Sequence, residues 1–129
     1  MRMLSLIAIA LVALIHTYIA WLEIFAWETR GPKVFTTLAP ELFPQTVEIA
    51  ANQGLYNAFL AAGLFWALTI RDMLWQRNVA VCFLIFVFVA GVFGAVTVMP
   101  RTLLVQSVPA LAGLILVFLS SRNRNGSTS

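Results

Sequence analysis

Apolar residues along this chain collect into four long runs, at about 4–26, 49–70, 79–99 and 103–119, parted by short polar stretches. At 1.5 Å rise per residue each run makes a helix of roughly 25–35 Å, the thickness of a bilayer's hydrocarbon core. The pattern predicts an all-α fold, a four-transmembrane-helix bundle in up-down order. The fourth run is the shortest and holds Pro109, a residue that kinks a helix or opens its backbone ladder. Residues 28–46 form the one long connection. Pro32, Pro40, Pro44 and Gly31 break it into short pieces, while Val34, Phe35, Leu38, Leu42 and Phe43 give it an apolar side. It is expected to lie in the interface, or to fold back over the bundle as a lid.

Composition agrees about the solvent. Hydrophobic residues make up 61% of the chain and charged residues 10%, against roughly a quarter charged in soluble domains. The mean hydropathy is +0.93. A length of 129 residues fits a single integral membrane domain. The first run, behind Arg2, outlasts the apolar core of a secretion signal, roughly 7–15 residues, and reads as a retained helix. A net charge of +3 sits mostly at segment ends, which suits anionic headgroups and topology better than nucleic acid. Up-down order puts Arg2, Arg71, Arg77, Arg122 and Arg124 on one side and Arg30, Lys33 and Arg101 on the other. The bias makes both termini cytoplasmic, in a multi-pass protein of a bacterial cytoplasmic membrane. Residues 120–129 are polar and small and are expected to be disordered. Cys82, in an apolar run, is expected to be a buried structural thiol.

Polar residues inside the runs carry the functional information, because lipid makes them costly. His16 and Glu23 are seven residues apart, so they share one face of the first helix within about 20°. On the second helix, with Glu48 at zero, Asn52, Tyr56, Gln53 and Asn57 fall at about 40°, 80°, 140° and 180°. Ala50, Gly54, Ala58 and Ala62 occupy the other side as a small-xxx-small stripe suited to close packing. Reckoned from where the two helices cross the membrane surface, Glu23 is level with residues 48–52. His16, roughly 10 Å deeper, is then level with Tyr56 and Asn57. Gln106, Ser107 and Thr97 fall in the same outer half, and the opposite half is almost wholly apolar.

That asymmetry points to a pocket in the outer leaflet for a small amphipathic or apolar molecule. Glu23 and His16 are its candidate acid/base groups, and Glu48, Asn52, Gln53, Tyr56, Asn57 and Gln106 its candidate ligand-binding residues. One histidine and two carboxylates spread over two helices make a weak metal signal, so neither a metal nor another cofactor is expected. Two other classes stay open. One is a proton-coupled transporter working as a homo-oligomer, with Glu23 or His16 titrating. The other is a structural or accessory subunit whose amides hold helices together.

The runs HTYIAWLEIFAW at 16–27 and ANQGLYNAFLAAGLFW at 51–66 resemble the small bacterial membrane proteins of domain-of-unknown-function family 1304. The resemblance covers essentially all four runs, and its H-x6-E and N-Q-G-x-Y-N patterns are fairly specific. It implies a four-helix integral membrane protein and lends no reaction.

Overall fold

A computed structural model of the chain describes residues 2–125, with side chains described through residue 121. It is all-helical. Helix α1 spans Arg2–Phe25, α2 Trp27–Val34, α3 Val47–Thr69, α4 Met73–Thr97 and α5 Val108–Asn125. A 3-10 turn at Pro40–Leu42 precedes α3, and a π-helical segment at Leu103–Ser107 leads into α5.

The bundle is assembled by α1. Its buried residues Ile9, Val12, His16, Ala20 and Glu23 recur at spacings of three and four, which keeps one stripe facing its neighbours. That stripe packs along α3 and α5. The apolar core lies lower in the bundle, where Ile9, Val12 and Ala13 meet Leu64, Ala67, Leu84, Val87 and Ala110. The outside is as apolar as the inside. Leu11 and Leu14 on α1, Phe86, Val89 and Phe93 on α4, and Ile115 and Phe118 on α5 are all exposed. Exposed apolar surface on this scale needs a nonaqueous neighbour, and a lipid bilayer supplies it.

Among the described residues three helices are long and apolar enough to cross a membrane: Arg2–Phe25, Met73–Thr97 and Leu103–Ser121. Helix α3 matches them in length at 23 residues. Its first half, with Glu48, Asn52, Gln53, Tyr56 and Asn57, is too polar to join them.

Several expectations are revised. The polar stretch 71–78 is mostly helix, not loop. Asp72 caps α4 by accepting a 2.7 Å hydrogen bond from the Trp75 backbone N–H. Gln76 Nε2, one turn into α4, donates to the end carbonyls of α3 at Ala67 and Ile70, both at 3.1 Å. A link of three residues therefore satisfies both helix ends. Pro109 does open the ladder before it: the Val108 N–H reaches back five residues to the Leu103 carbonyl. Helix α5 continues to Asn125, past the apolar run, while the rest of the expected tail, 126–129, lies outside the described residues. Cys82 is exposed on the outer face of α4 and not buried, because its helical position faces away from the core set by Leu84 and Val87.

The 28–46 connection folds back over the bundle. Phe43 is buried to 1% exposure and stacks on Trp27, with ring centroids 5.0 Å apart. Trp27 Nε1 donates to Thr46 Oγ1 at 3.0 Å, tying the start of α2 to the start of α3. Thr37 Oγ1 donates to the Val98 carbonyl at 3.3 Å, which brings the end of α4 to the same pole.

Candidate functional site

Two of the expected polar residues meet at the seam between α1 and α3. Gly54 is what lets the helices approach. A Cβ at this position would stand 2.7 Å from Ile24 Cγ1, 3.0 Å from Glu23 Cβ and 3.1 Å from the Ala20 carbonyl oxygen. Just beyond this contact, Asn57 Nδ2 donates to Glu23 Oε2 at 2.8 Å, and more weakly to the Gln53 carbonyl at 3.3 Å. Both residues are buried, each with 7% of its surface exposed. In a low-dielectric seam a hydrogen bond to a carboxyl group is among the stronger polar contacts.

His16 lies two turns deeper on the same face of α1 and has no exposure. Its Nδ1 is 3.0 Å from the Val12 carbonyl, one turn back on its own helix. A carbonyl only accepts, so Nδ1 carries the hydrogen, and in the neutral ring Nε2 is left as a bare acceptor. That Nε2 is the one fully buried side-chain polar atom without a partner among the described residues.

The register differs from the expected one. Glu23 is level with Gly54 and Asn57, not with 48–52, so α3 is displaced outward by one to two turns relative to α1. The folded-back 27–46 segment accounts for this, since it lets α3 begin beyond the last turn of α1. Glu48, Asn52, Gln53 and Tyr56 are consequently exposed, and of Gln53 only the backbone carbonyl takes part in the site. Gln106 is half-buried on the π segment. Of the expected site residues, then, Glu23 and Asn57 touch. His16 shares their face, and the other five do not join them.

A polar residue outside the expected set, Ser107, also matters for packing. Ser107 Oγ donates to the Phe88 carbonyl at 2.9 Å, and Gly91 on α4 makes room for that hydroxyl. Among the described residues no group of three or more His, Cys, Asp or Glu side chains is placed to hold a metal ion.

The chain has relatives over nearly its whole length. It is 31% identical over 120 residues to a Lactococcus lactis subsp. lactis (strain IL1403) protein called "Uncharacterized protein YpaA". That alignment covers 92% of this chain and 99% of the relative. No solved structure matches. The family described as "Protein of unknown function (DUF1304)" matches residues 10–118. With its paired first-helix histidine and glutamate and its polar second long helix, this chain belongs to the DUF1304 family.

Proposed function

We propose that this protein crosses a bacterial cytoplasmic membrane four times and binds a small amphipathic or apolar molecule at the α1–α3 seam, from the outer leaflet. The support for a fourth crossing is topological. The starts of α1 and α4 and the end of α5 line one cleft, so they share one pole of the bundle. The chain leaves the opposite pole after Phe25 and must return before Met73, and α3 is the one long helix in between. Its deepest polar side chain, Asn57, is the one that is buried and paired. The excess of arginine at the shared pole favours a cytoplasmic position for it.

The observation that carries the binding site is the unpartnered His16 Nε2. A buried acceptor without a donor costs about 1–3 kcal/mol, which a leucine at this position would avoid. A ligand hydroxyl or amine meets that acceptor. Glu23, roughly 10 Å nearer the outer end, offers a second one, since Asn57 engages only its Oε2. Two acceptors at that spacing on one face suit a molecule with donors near both ends and an apolar body between them.

Native mass spectrometry of the gently extracted protein tests this reading. The wild type should carry a small organic adduct that His16→Leu and Glu23→Gln both lose while remaining folded. A wild type free of adduct, or variants that keep it at full occupancy, would sink the proposal. The same spectrum reports whether the protein is a homo-oligomer.

The close approach at Gly54 favours a second reading, an accessory subunit whose seam serves only to join helices. Its mark would be a different membrane protein co-purifying in fixed stoichiometry, with no adduct in either partner.

A further inference from the structure

The cleft at the other pole is built by the three helices that are apolar enough to cross a membrane, so it stands independently of the seam site. Arg2 begins α1, Arg77 lies in the second turn of α4, and Ser120 lies near the end of the apolar part of α5. With Ser5, which is buried and donates its hydroxyl to the Arg2 carbonyl at 2.8 Å, they form the polar part of the lining. Ile9, Ala80 and Val117 close its inner side and are almost wholly buried. Gln76 also reaches the cleft, but its Nε2 is engaged by the α3 carbonyls.

Charge at this pole is one-sided. Of the five acidic residues in the chain only Asp72 lies here, and its Oδ1 accepts the Trp75 N–H. Arg2, Arg71 and Arg77 at the same pole outnumber that single carboxylate. The cleft is open to the outside and its volume is about 30 Å³, room for a water or two. It admits a phosphate oxygen, not a whole headgroup, so a ligand would rest at the mouth.

We propose that this cleft seats the phosphate of an anionic phospholipid, with Arg2 and Arg77 as its counter-charges and the acyl chains running down the exposed apolar surface below. The amphipathic lining separates this from a site for free phosphate. Guanidinium groups at the mouth match the phosphodiester, and the exposed apolar outer surface of the helices gives acyl chains a place that free phosphate has no use for. The α1 and α4 N-termini add their positive dipole ends to the same place.

The test uses the full chain in nanodiscs made with phosphatidylcholine alone or with phosphatidylglycerol added. Lipid carried through extraction is then counted by native mass spectrometry. The wild type should retain phosphatidylglycerol in preference. The double variant Arg2→Gln/Arg77→Gln should lose most of that preference, at roughly fivefold per arginine. Arg2→Lys/Arg77→Lys should keep part of it, and Arg71→Gln, which removes the same charge outside the cleft, should keep nearly all. Equal retention of the two lipids by wild type overturns the proposal, as does an equal loss in Arg71→Gln. Displacement of the lipid by millimolar inorganic phosphate also overturns it, since the site would then serve free phosphate. His16→Leu should leave lipid retention intact, so failure of the seam reading and failure of this one give different spectra.

Discussion

Asn52 and Asn57 lie five residues apart on α3, carry the same side chain, and meet opposite fates. Asn57 turns into the α1–α3 seam and donates to Glu23, whereas Asn52 is exposed alongside Glu48, Gln53 and Tyr56. The difference is one of depth and angle together. Asn57 is on the side of α3 that holds Ala50, Gly54, Ala61 and Leu64, and it is the polar residue that enters furthest into the bundle. An amide at that depth must find a partner inside the protein. If α3 crosses the membrane as proposed, headgroups and water serve instead nearer its end. Polar residues on a membrane helix thus divide into those that are tolerated and those that are held, and only the held ones report a site.

The contrast breaks most completely at Gly54. Gly54→Leu places a side chain against Ile24, Glu23 Cβ and the Ala20 carbonyl, and a backbone atom does not yield. Separating the helices also parts Asn57 from Glu23. A loss of about 3 kcal/mol is expected, measured by reversible unfolding in mixed dodecyl maltoside and SDS. An effect under about 0.5 kcal/mol would mean that the seam is looser than described.

Asn57→Leu removes the hydrogen bond while keeping the number and branching of the side-chain heavy atoms, and leaves Glu23 Oε2 without its donor. The expected cost is about 1–2 kcal/mol. Asn57→Asp should cost more, since it sets two acceptors face to face. If Asn57→Asp proves the milder of the two, the pair does not hold the seam as the geometry indicates.

Much of this division was legible in the sequence, and the part that was not has a definite cause. Four apolar runs led to four long helices, and seven-residue spacing put His16 and Glu23 on one face. The small-residue stripe through Ala50 and Gly54 marked the packed side of α3. Asn57, at the border between polar arc and stripe, was assigned to the arc with the others, although the stripe is where it belongs. What periodicity cannot supply is the axial offset between two helices. The 27–46 segment sets that offset through the Phe43–Trp27 stacking and the Trp27–Thr46 hydrogen bond. Those contacts join residues 16 and 19 positions apart across three prolines. The Asp72 cap and the Gln76 bridge are hidden in the sequence for a similar reason. They are polar residues in a polar stretch, and only the fold shows which carbonyls they reach.

Trp27→Phe tests whether that tie sets the offset. The substitution keeps an aromatic ring against Phe35 and Phe43 and deletes the donor to Thr46. A half-buried hydrogen bond of this kind contributes about 1 kcal/mol or less. Hydrogen exchange should quicken over residues 27–46 and at the start of α3, while the Gly54 region stays protected. Faster exchange at Gly54 and Asn57 would show that the tie and the seam form one cooperative unit.

The smallest effect is expected at Asn52, and it sharpens the comparison most. Asn52→Leu should change stability by no more than about 0.5 kcal/mol in either direction, because the amide has no partner among the described residues to lose. Set against Asn57→Leu, the same chemical change five residues along the same helix isolates position from residue type. The two should also be additive, since they face different sides of α3 and share no partner. A large cost for Asn52→Leu, or strong coupling between the two, would mean that something covers the exposed arc in the membrane. A second copy of the chain would then be the first occupant to seek, by repeating the unfolding at several protein-to-detergent ratios. A cost that shrinks with dilution, as the copies part, would identify the arc as an interface between copies. A cost that stays flat would leave headgroups and water as its surroundings.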